Sequence, residues 1–301
     1  MNRRCLAGLL ALVIAVLTAC STARSTPEII VTTNIVGDVV RNVVGDAAPV
    51  RVLMKPNADP HSFALSAQEA AALSTASLIV SNGLGLEEGV ERHVQTAAHD
   101  GVPTVAVGDH VDPIRYTGGD DAGAPDPHFW TDPRRMITAV DVIERTVNSE
   151  VEGIDSAAVA RNAERYREQL RALDASMSLQ FGEIPPGRRK LVTNHHVLGY
   201  LADRFGLEVV GAVVPSGTTL AAPSSSDLQS LVTAIESAGV PAIFVDSSQP
   251  ERLARVLAEQ SGIRVRIVAL YSESLGPPGT PGATYLDMMR ANTVAIVNGL
   301  R

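Results

Sequence analysis

The tripeptide Asp-Pro-His occurs twice, at Asp59-Pro60-His61 and at Asp126-Pro127-His128, and a histidine pair follows at Asn194-His195-His196. Proline fixes φ near −65°, so a loop histidine beside it is held in a defined direction. Neutral imidazole is the commonest protein ligand for metal ions. Taken singly, His61 or His128 is more often a surface or hydrogen-bonding residue than a ligand. Three loop sites far apart in sequence pose a sharper question, whether the fold brings them to a single ion. The only cysteines are Cys5 and Cys20, near the N-terminus. Beyond Cys20 no thiolate is available, so a metal held by the rest of the chain takes nitrogen and oxygen donors.

Positioning such residues requires regular elements around them. Short β-branched runs at 29–33, 50–53, 77–80 and 103–107 alternate with helical patterns such as Ser66 to Ser74, and a second block repeats this with strands at 190–193, 207–213, 241–245 and 265–270. Alternation of this kind implies two parallel α/β units. His61 follows the strand at 50–53, His195 comes directly after 190–193, and Glu273 lies just beyond 265–270. Open parallel sheets bind ligands outside the carboxyl ends of their strands, so donors from both blocks point to a cleft between two lobes. His128 sits in a Gly/Pro/Asp loop just before a helix that Asp132-Pro133 starts.

The clearest helix separates the two blocks. Val159, Ala163, Tyr166, Leu170, Leu173, Met177 and Phe181 follow 4-3-4-3-4-4 spacing and form one apolar stripe. Asp155 or Ser156 can cap its start, and Gly182 with Pro185-Pro186 ends it. From 156 to 181 it would be roughly 39 Å long and could bridge two lobes along their backs. A stiff connector restricts lobe motion more than a Gly/Ser linker would. The expected fold is α/β, with two lobes, each a mostly parallel four-stranded sheet with flanking helices, joined by one long rigid helix. The expected divisions are a leader at 1–19, a tether at 20–27, an N-terminal lobe at 28–154, the linking helix at 155–183 and a C-terminal lobe at 184–301.

Composition narrows the class. The 301 residues are 45% hydrophobic and 19% charged, an ordinary globular balance, and the net charge of −8 argues against a nucleic-acid binder. Arg3 and Arg4 precede an apolar run from Leu6 to Leu17, too short for a bilayer-spanning helix of ~20 residues. Leu17-Thr18-Ala19-Cys20 resembles a bacterial lipoprotein cleavage box, with Cys20 as the lipid-bearing residue and Ser21 to Thr26 as a tether; the alternative is a plain signal peptide with an incidental cysteine.

Longer segments around the histidines resemble a known family. They are Pro56 to Phe63, Asp126-Pro127-His128-Phe129-Trp130-Thr131-Asp132-Pro133, Thr193 to Tyr200, Tyr285 to Asn292, and Asn82-Gly83-Leu84-Gly85-Leu86-Glu87. Together they look like the zinc/manganese-binding lipoproteins of bacterial ABC importers, which include proteins once called adhesins. The resemblance runs from about Ile29 to the C-terminus. It implies His61 and His128 as the first two metal ligands. It implies His195 rather than His196 as the third, because the family pattern His-x-x-x-Gly-Tyr fits His195 to Tyr200, leaving His196 in a supporting or solvent-facing position. The fourth ligand, usually aspartate, falls at Glu273, which keeps the carboxylate but reaches one methylene further. His93, His99 and His110 match no ligand position and are expected on the surface. Asp120 and Asp121 read as a solvated turn, and Asp246 either reaches the cleft or caps the following helix.

Three imidazoles and one carboxylate suit zinc first and manganese second, since zinc binds such sites more tightly and manganese prefers more oxygen donors. The implied activity is capture of the ion as cargo for an ABC permease and its ATPase, by a monomer lipid-anchored to the outer face of the cytoplasmic membrane. Two rivals come from other classes. A metallohydrolase would keep an open coordination position and a nearby base, and no His-Glu-x-x-His helix is present. A surface adhesin would use the same chain without the metal. Metal affinity is expected to fall as pH drops toward the ordinary histidine value of ~6.5.

Overall fold

The computed structural model describes residues 28–118 and 121–301. The expected leader, Cys20 and the tether, as well as Asp120, lie outside the described residues. Strands β1 (Ile29–Val31), β2 (Val50–Val52), β3 (Leu78–Ser81) and β4 (Thr104–Ala106) form one sheet in the order β2-β1-β3-β4. Strands β5 (Lys190–Thr193), β6 (Glu208–Ala212), β7 (Ala242–Asp246) and β8 (Arg266–Leu270) form the other in the order β6-β5-β7-β8. Every pairing is parallel, so the two sheets share one topology. The eight strands lie within two residues of the β-branched runs in the sequence.

Parallel pairing demands crossovers, and helices supply them. The first lobe carries α1 (Asn34–Val44), α2 (Ala67–Leu73), α3 (Glu91–His99) and α4 (Pro133–Glu150). Helix α5 (Ser156–Gly182) follows, and the second lobe carries α6 (Gly199–Phe205), α7 (Ser225–Ala238), α8 (Arg252–Gln260) and α9 (Tyr285–Leu300). The central strands β1, β3, β5 and β7 bury both faces, as strands covered by helices on each side must. Ile29, Val31, Leu78 and Val80 face one core, while Ile30 and Ile79 turn to Leu73 and Ala97 beneath α2 and α3. In the second sheet Leu191, Ala242 and Phe244 join the first core, whereas Val192, Ile243 and Val245 pack with Leu231, Ile235 and Leu257 of α7 and α8.

The first of these cores is continuous through both lobes. Its spine is α5, whose buried side chains are Val159, Ala163, Tyr166, Leu170, Leu173, Met177 and Phe181, the stripe seen in the sequence. These pack against α1, α4 and α9. Asp155 caps α5 by accepting the Ala158 N–H at 3.0 Å, and Asp132 caps α4 through the Arg134 N–H at 2.8 Å with Pro133 in the first turn. A two-point pairing of Arg204 with Asp174, at 2.8 and 2.7 Å, fastens α6 to α5. No helix among the described residues is long and apolar enough to cross a membrane.

Candidate metal centre

Both Asp-Pro-His triplets fold into the same local turn. Asp59 Oδ1 accepts the His61 backbone N–H at 2.9 Å, and Asp126 Oδ1 accepts that of His128 at 2.9 Å. This is the Asx turn, in which a carboxylate holds the amide two residues further on. The triplets then diverge. Asp126 Oδ1 also takes a hydrogen bond from Nδ1 of its histidine at 2.7 Å, and the Tyr116 hydroxyl lies 3.2 Å from that nitrogen and 3.3 Å from the carboxylate oxygen. With Nδ1 donating to Asp126, His128 presents its Nε2 lone pair outward, the pairing that orients metal-binding histidines. Asp59 instead turns its second oxygen toward the other lobe, accepting from Thr219 Oγ1 at 2.6 Å and Gln249 Nε2 at 3.2 Å.

The His-x-x-x-Gly-Tyr segment explains itself around the second triplet. Tyr200 donates its hydroxyl to the Asp126 carbonyl at 2.7 Å and accepts the Ile114 N–H at 3.2 Å. A Cβ at position 199 would lie 2.7 Å from Asp126 Oδ2, so Gly199 is what allows that close approach. The Asn82 to Glu87 segment supports the same loop from behind. Glu87 accepts from Thr32 Oγ1 at 2.5 Å and from the Asn82 and Gly83 amides at 2.7 and 3.1 Å, while Asn82 Nδ2 donates to the Pro127 carbonyl at 3.0 Å.

Glu273 is placed from both lobes. Asp246 Oδ2, at the end of β7, accepts the Glu273 amide at 3.0 Å, together with the Ser272 amide at 3.0 Å and hydroxyl at 2.7 Å. Trp130 Nε1 donates to the Ser272 carbonyl at 2.9 Å, and the Asn34 side chain holds Ser274 Oγ at 2.7 Å and the Leu275 amide at 2.9 Å. Asp246 therefore neither joins the histidines nor caps α8; it anchors the turn that carries the carboxylate.

The four residues meet in one place. His61 Nε2 lies 3.4 Å from His128 Nε2, which lies 3.4 Å from His195 Nε2. Glu273 Oε1 is 3.1 Å from His195 Nε2 and 3.7 Å from His128 Nε2, and its Oε2 is 3.8 Å from His61 Nε2. Among the described residues this is the one group of three or more His, Cys, Asp or Glu residues gathered closely enough to hold an ion. All four are at most 2% exposed, and both Glu273 oxygens lack a hydrogen-bond donor. Burial pushes His61 down to about 2, helped by His128 and His195, and pushes His195 down to about 4. It pushes Glu273 up to about 8. Buried lone pairs pointing at one another are costly unless something positive lies between them.

His196 turns away from this group. Its amide donates to the Ser216 carbonyl at 3.0 Å, and its half-buried ring lines a cavity of about 540 Å³ with Tyr116 and Asp126. His93, His99 and His110 are exposed, as the sequence suggests. Asp121 is not the solvated turn that the sequence suggests: its Oδ2 accepts Ser216 Oγ at 2.8 Å and the Gly217 amide at 2.7 Å from the other lobe. Sequence reasoning also missed the roles of Asp59, Tyr116 and Asp126. The signal for the two aspartates was present in the repeated Asp-x-His spacing, which is that of an Asx turn.

Comparison with known proteins agrees with this architecture. The zinc-binding protein TroA of Treponema pallidum is 29% identical over 278 residues, 91% of this chain and 89% of that protein. Its solved structure superposes with a TM-score of 0.84 over 92% of this chain and 99% of TroA. The metal ABC transporter substrate-binding lipoprotein SsaB of Streptococcus sanguinis is 27% identical over 97% of both chains. The manganese-binding lipoprotein MntA of Halalkalibacterium halodurans is 26% identical over 91% of this chain and 88% of MntA. The profile of the zinc-uptake complex component A, periplasmic, matches residues 29–299. With that match covering nearly the whole chain, this protein belongs to that family of periplasmic metal-binding proteins of ABC import.

Proposed function

We propose that the protein captures a single divalent transition metal ion as cargo, zinc first and manganese second, and delivers it to the permease of an ABC importer. The observation that carries this reading is the meeting of three imidazole Nε2 atoms and one carboxylate in a buried pocket, two from each lobe. At a zinc–nitrogen distance of ~2.05 Å, the edge of a tetrahedron is about 3.3 Å, close to the two nitrogen–nitrogen separations of 3.4 Å. Zinc also outranks manganese intrinsically on such a donor set. Manganese keeps its place as second choice because both Glu273 oxygens are free of donors and could bind together, raising the coordination number.

The chain's own groups do the work of capture. His61 and His195 are already neutral at pH 7, so their lone pairs are available without loss of a proton. Asp126 keeps the His128 ring oriented, and Asp246 keeps Glu273 in place. The ion would bridge the lobes, since His61 and His128 come from the first and His195 and Glu273 from the second. Four protein ligands leave no open position for a catalytic water, which favours transport over hydrolysis. The buried donors likewise favour transport over adhesion, for which they would serve no purpose. A lipid on Cys20, with the segment to residue 27 as its tether, would hold the protein outside the cytoplasmic membrane as a monomer. The test is elemental analysis of purified protein, then chelation and titration with zinc, manganese and iron(II). One equivalent of zinc is expected to bind; chelated protein that neither binds nor is thermally shifted by any of the three refutes the reading.

A further inference from the structure

The segment Ser216–Thr219, between β6 and α7, sends four hydrogen bonds across the cleft, and every acceptor is a carboxylate of the first lobe. Ser216 Oγ and the Gly217 amide reach Asp121 Oδ2 at 2.8 and 2.7 Å, Thr218 Oγ1 reaches Glu88 Oε1 at 3.1 Å, and Thr219 Oγ1 reaches Asp59 Oδ2 at 2.6 Å. Gln249, after β7, adds a second bond to Asp59 Oδ2 at 3.2 Å. The segment also lies tight against the metal-site residues. A Cβ at Gly217 would fall 2.5 Å from the Tyr116 hydroxyl, which touches both Asp126 and His128. Thr219 and Gln249 line a small cavity shared with His195.

Taking the ligand set above as its basis, we propose that Ser216–Thr219 is a clasp that opens for metal to enter or leave, with Asp59 as the positioning residue that joins it to His61. Two facts support a local gate. The four donors are at most 2% exposed, so no ion reaches them without an opening. The core shared along α5 resists parting the lobes as whole bodies, because that would expose apolar surface from both. Hydrogen bonds to carboxylates at the cleft rim break at far less cost. Asp59 couples the two events within one side chain, since one oxygen holds the His61 amide while the other holds Thr219 and Gln249.

The test uses the full chain loaded with zinc, mixed with excess chromogenic chelator, in wild type and in a Thr219→Val, Gln249→Leu double variant. Each of those residues touches Asp59 and neither is a ligand. Release of zinc should quicken by at least about tenfold, since two hydrogen bonds to the Asp59 carboxylate are lost. Uptake should quicken as well, because the metal-free protein carries the same bonds, so that Kd shifts by less than the release rate. Thr219→Ser, which keeps the hydroxyl, should restore slow release, and Thr218→Val, which removes the contact to Glu88 and a local bond from the Leu220 amide but leaves both bonds to Asp59, should give a smaller acceleration. Unchanged release, or faster release with unaltered uptake, overturns the clasp. Wild-type protein that takes up no zinc overturns the functional reading instead. Wild-type uptake that is lost in His61→Ala, beside unchanged release in the double variant, sinks the clasp alone.

Discussion

At the scale of single residues, burial sets the protonation states before an ion arrives. His61 and His195 are pushed down to about 2 and 4, and Glu273 is pushed up to about 8, so at pH 7 the proton in the pocket sits on the carboxylate. This shifts the expectation drawn from ordinary histidine values. The competitor that metal displaces is the Glu273 proton, and affinity should climb with pH until about 8, then level off. Calorimetric titration with zinc at pH 7, in buffers of different ionisation enthalpy, should report release of about one proton per ion bound. An affinity profile with its midpoint near 6.5 and no proton release at pH 7.5 would return the role to histidine. Geometry separates the adjacent pair in the same way. His128→Ala should weaken zinc binding by more than about 100-fold, since it removes one of the four proposed ligands, whereas His196→Ala should cost less than about tenfold. The reverse ranking would mean that the ligand set is wrong.

At the scale of elements, α5 is the part on which both lobes depend. Leu170 is fully buried in its stripe, so Leu170→Ala should destabilise the metal-free protein by about 2–5 kcal/mol in urea unfolding. Leu179, on the same helix but 74% exposed, should tolerate alanine to within about 0.5 kcal/mol. Similar costs at both sites would mean that the helix does not carry a shared core. The same periodicity is why this helix was readable from sequence: its seven stripe residues repeat at the spacing of one helical face, and the whole face is buried. The strands were readable because parallel strands covered on both faces become short β-branched runs bounded by turn residues. His61, His195 and Glu273 could be placed at strand ends on that basis alone. What could not be read are contacts whose partners lie far along the chain. Asp121 meets Ser216 and Gly217 some 95 residues away, and Asp246 meets the Glu273 amide 27 residues away. No local pattern records such pairs, because a carboxylate in a turn has the same composition whether it faces water or another lobe.

For the whole molecule, the four donors are divided equally between lobes that share one core, so the complete site exists only in the folded chain. Metal should therefore stabilise that state by mass action, by about 2.7 kcal/mol at a free concentration 100 times Kd. The pH dependence of this gain follows from the direction of each shift. Glu273 is raised from 4.5 to about 8, so the folded metal-free protein holds its proton where the unfolded chain has lost it. Stability from that source is full below 4.5 and is lost as pH rises through 8. His61 and His195 are lowered from 6.5, so their contribution runs the other way and is lost as pH falls below 6.5. Between 6.5 and 8, of these three groups, only Glu273 acts, and metal-free stability should decline across that window. Coordination by Glu273, as proposed, would keep the carboxylate ionised and remove this decline from the loaded protein. The rise in melting temperature on saturation with zinc should accordingly grow from pH 6.5 to pH 8. Parallel thermal scans with and without zinc measure it directly, and a shift that is flat or shrinks over that interval would show that Glu273 does not carry the pocket's proton.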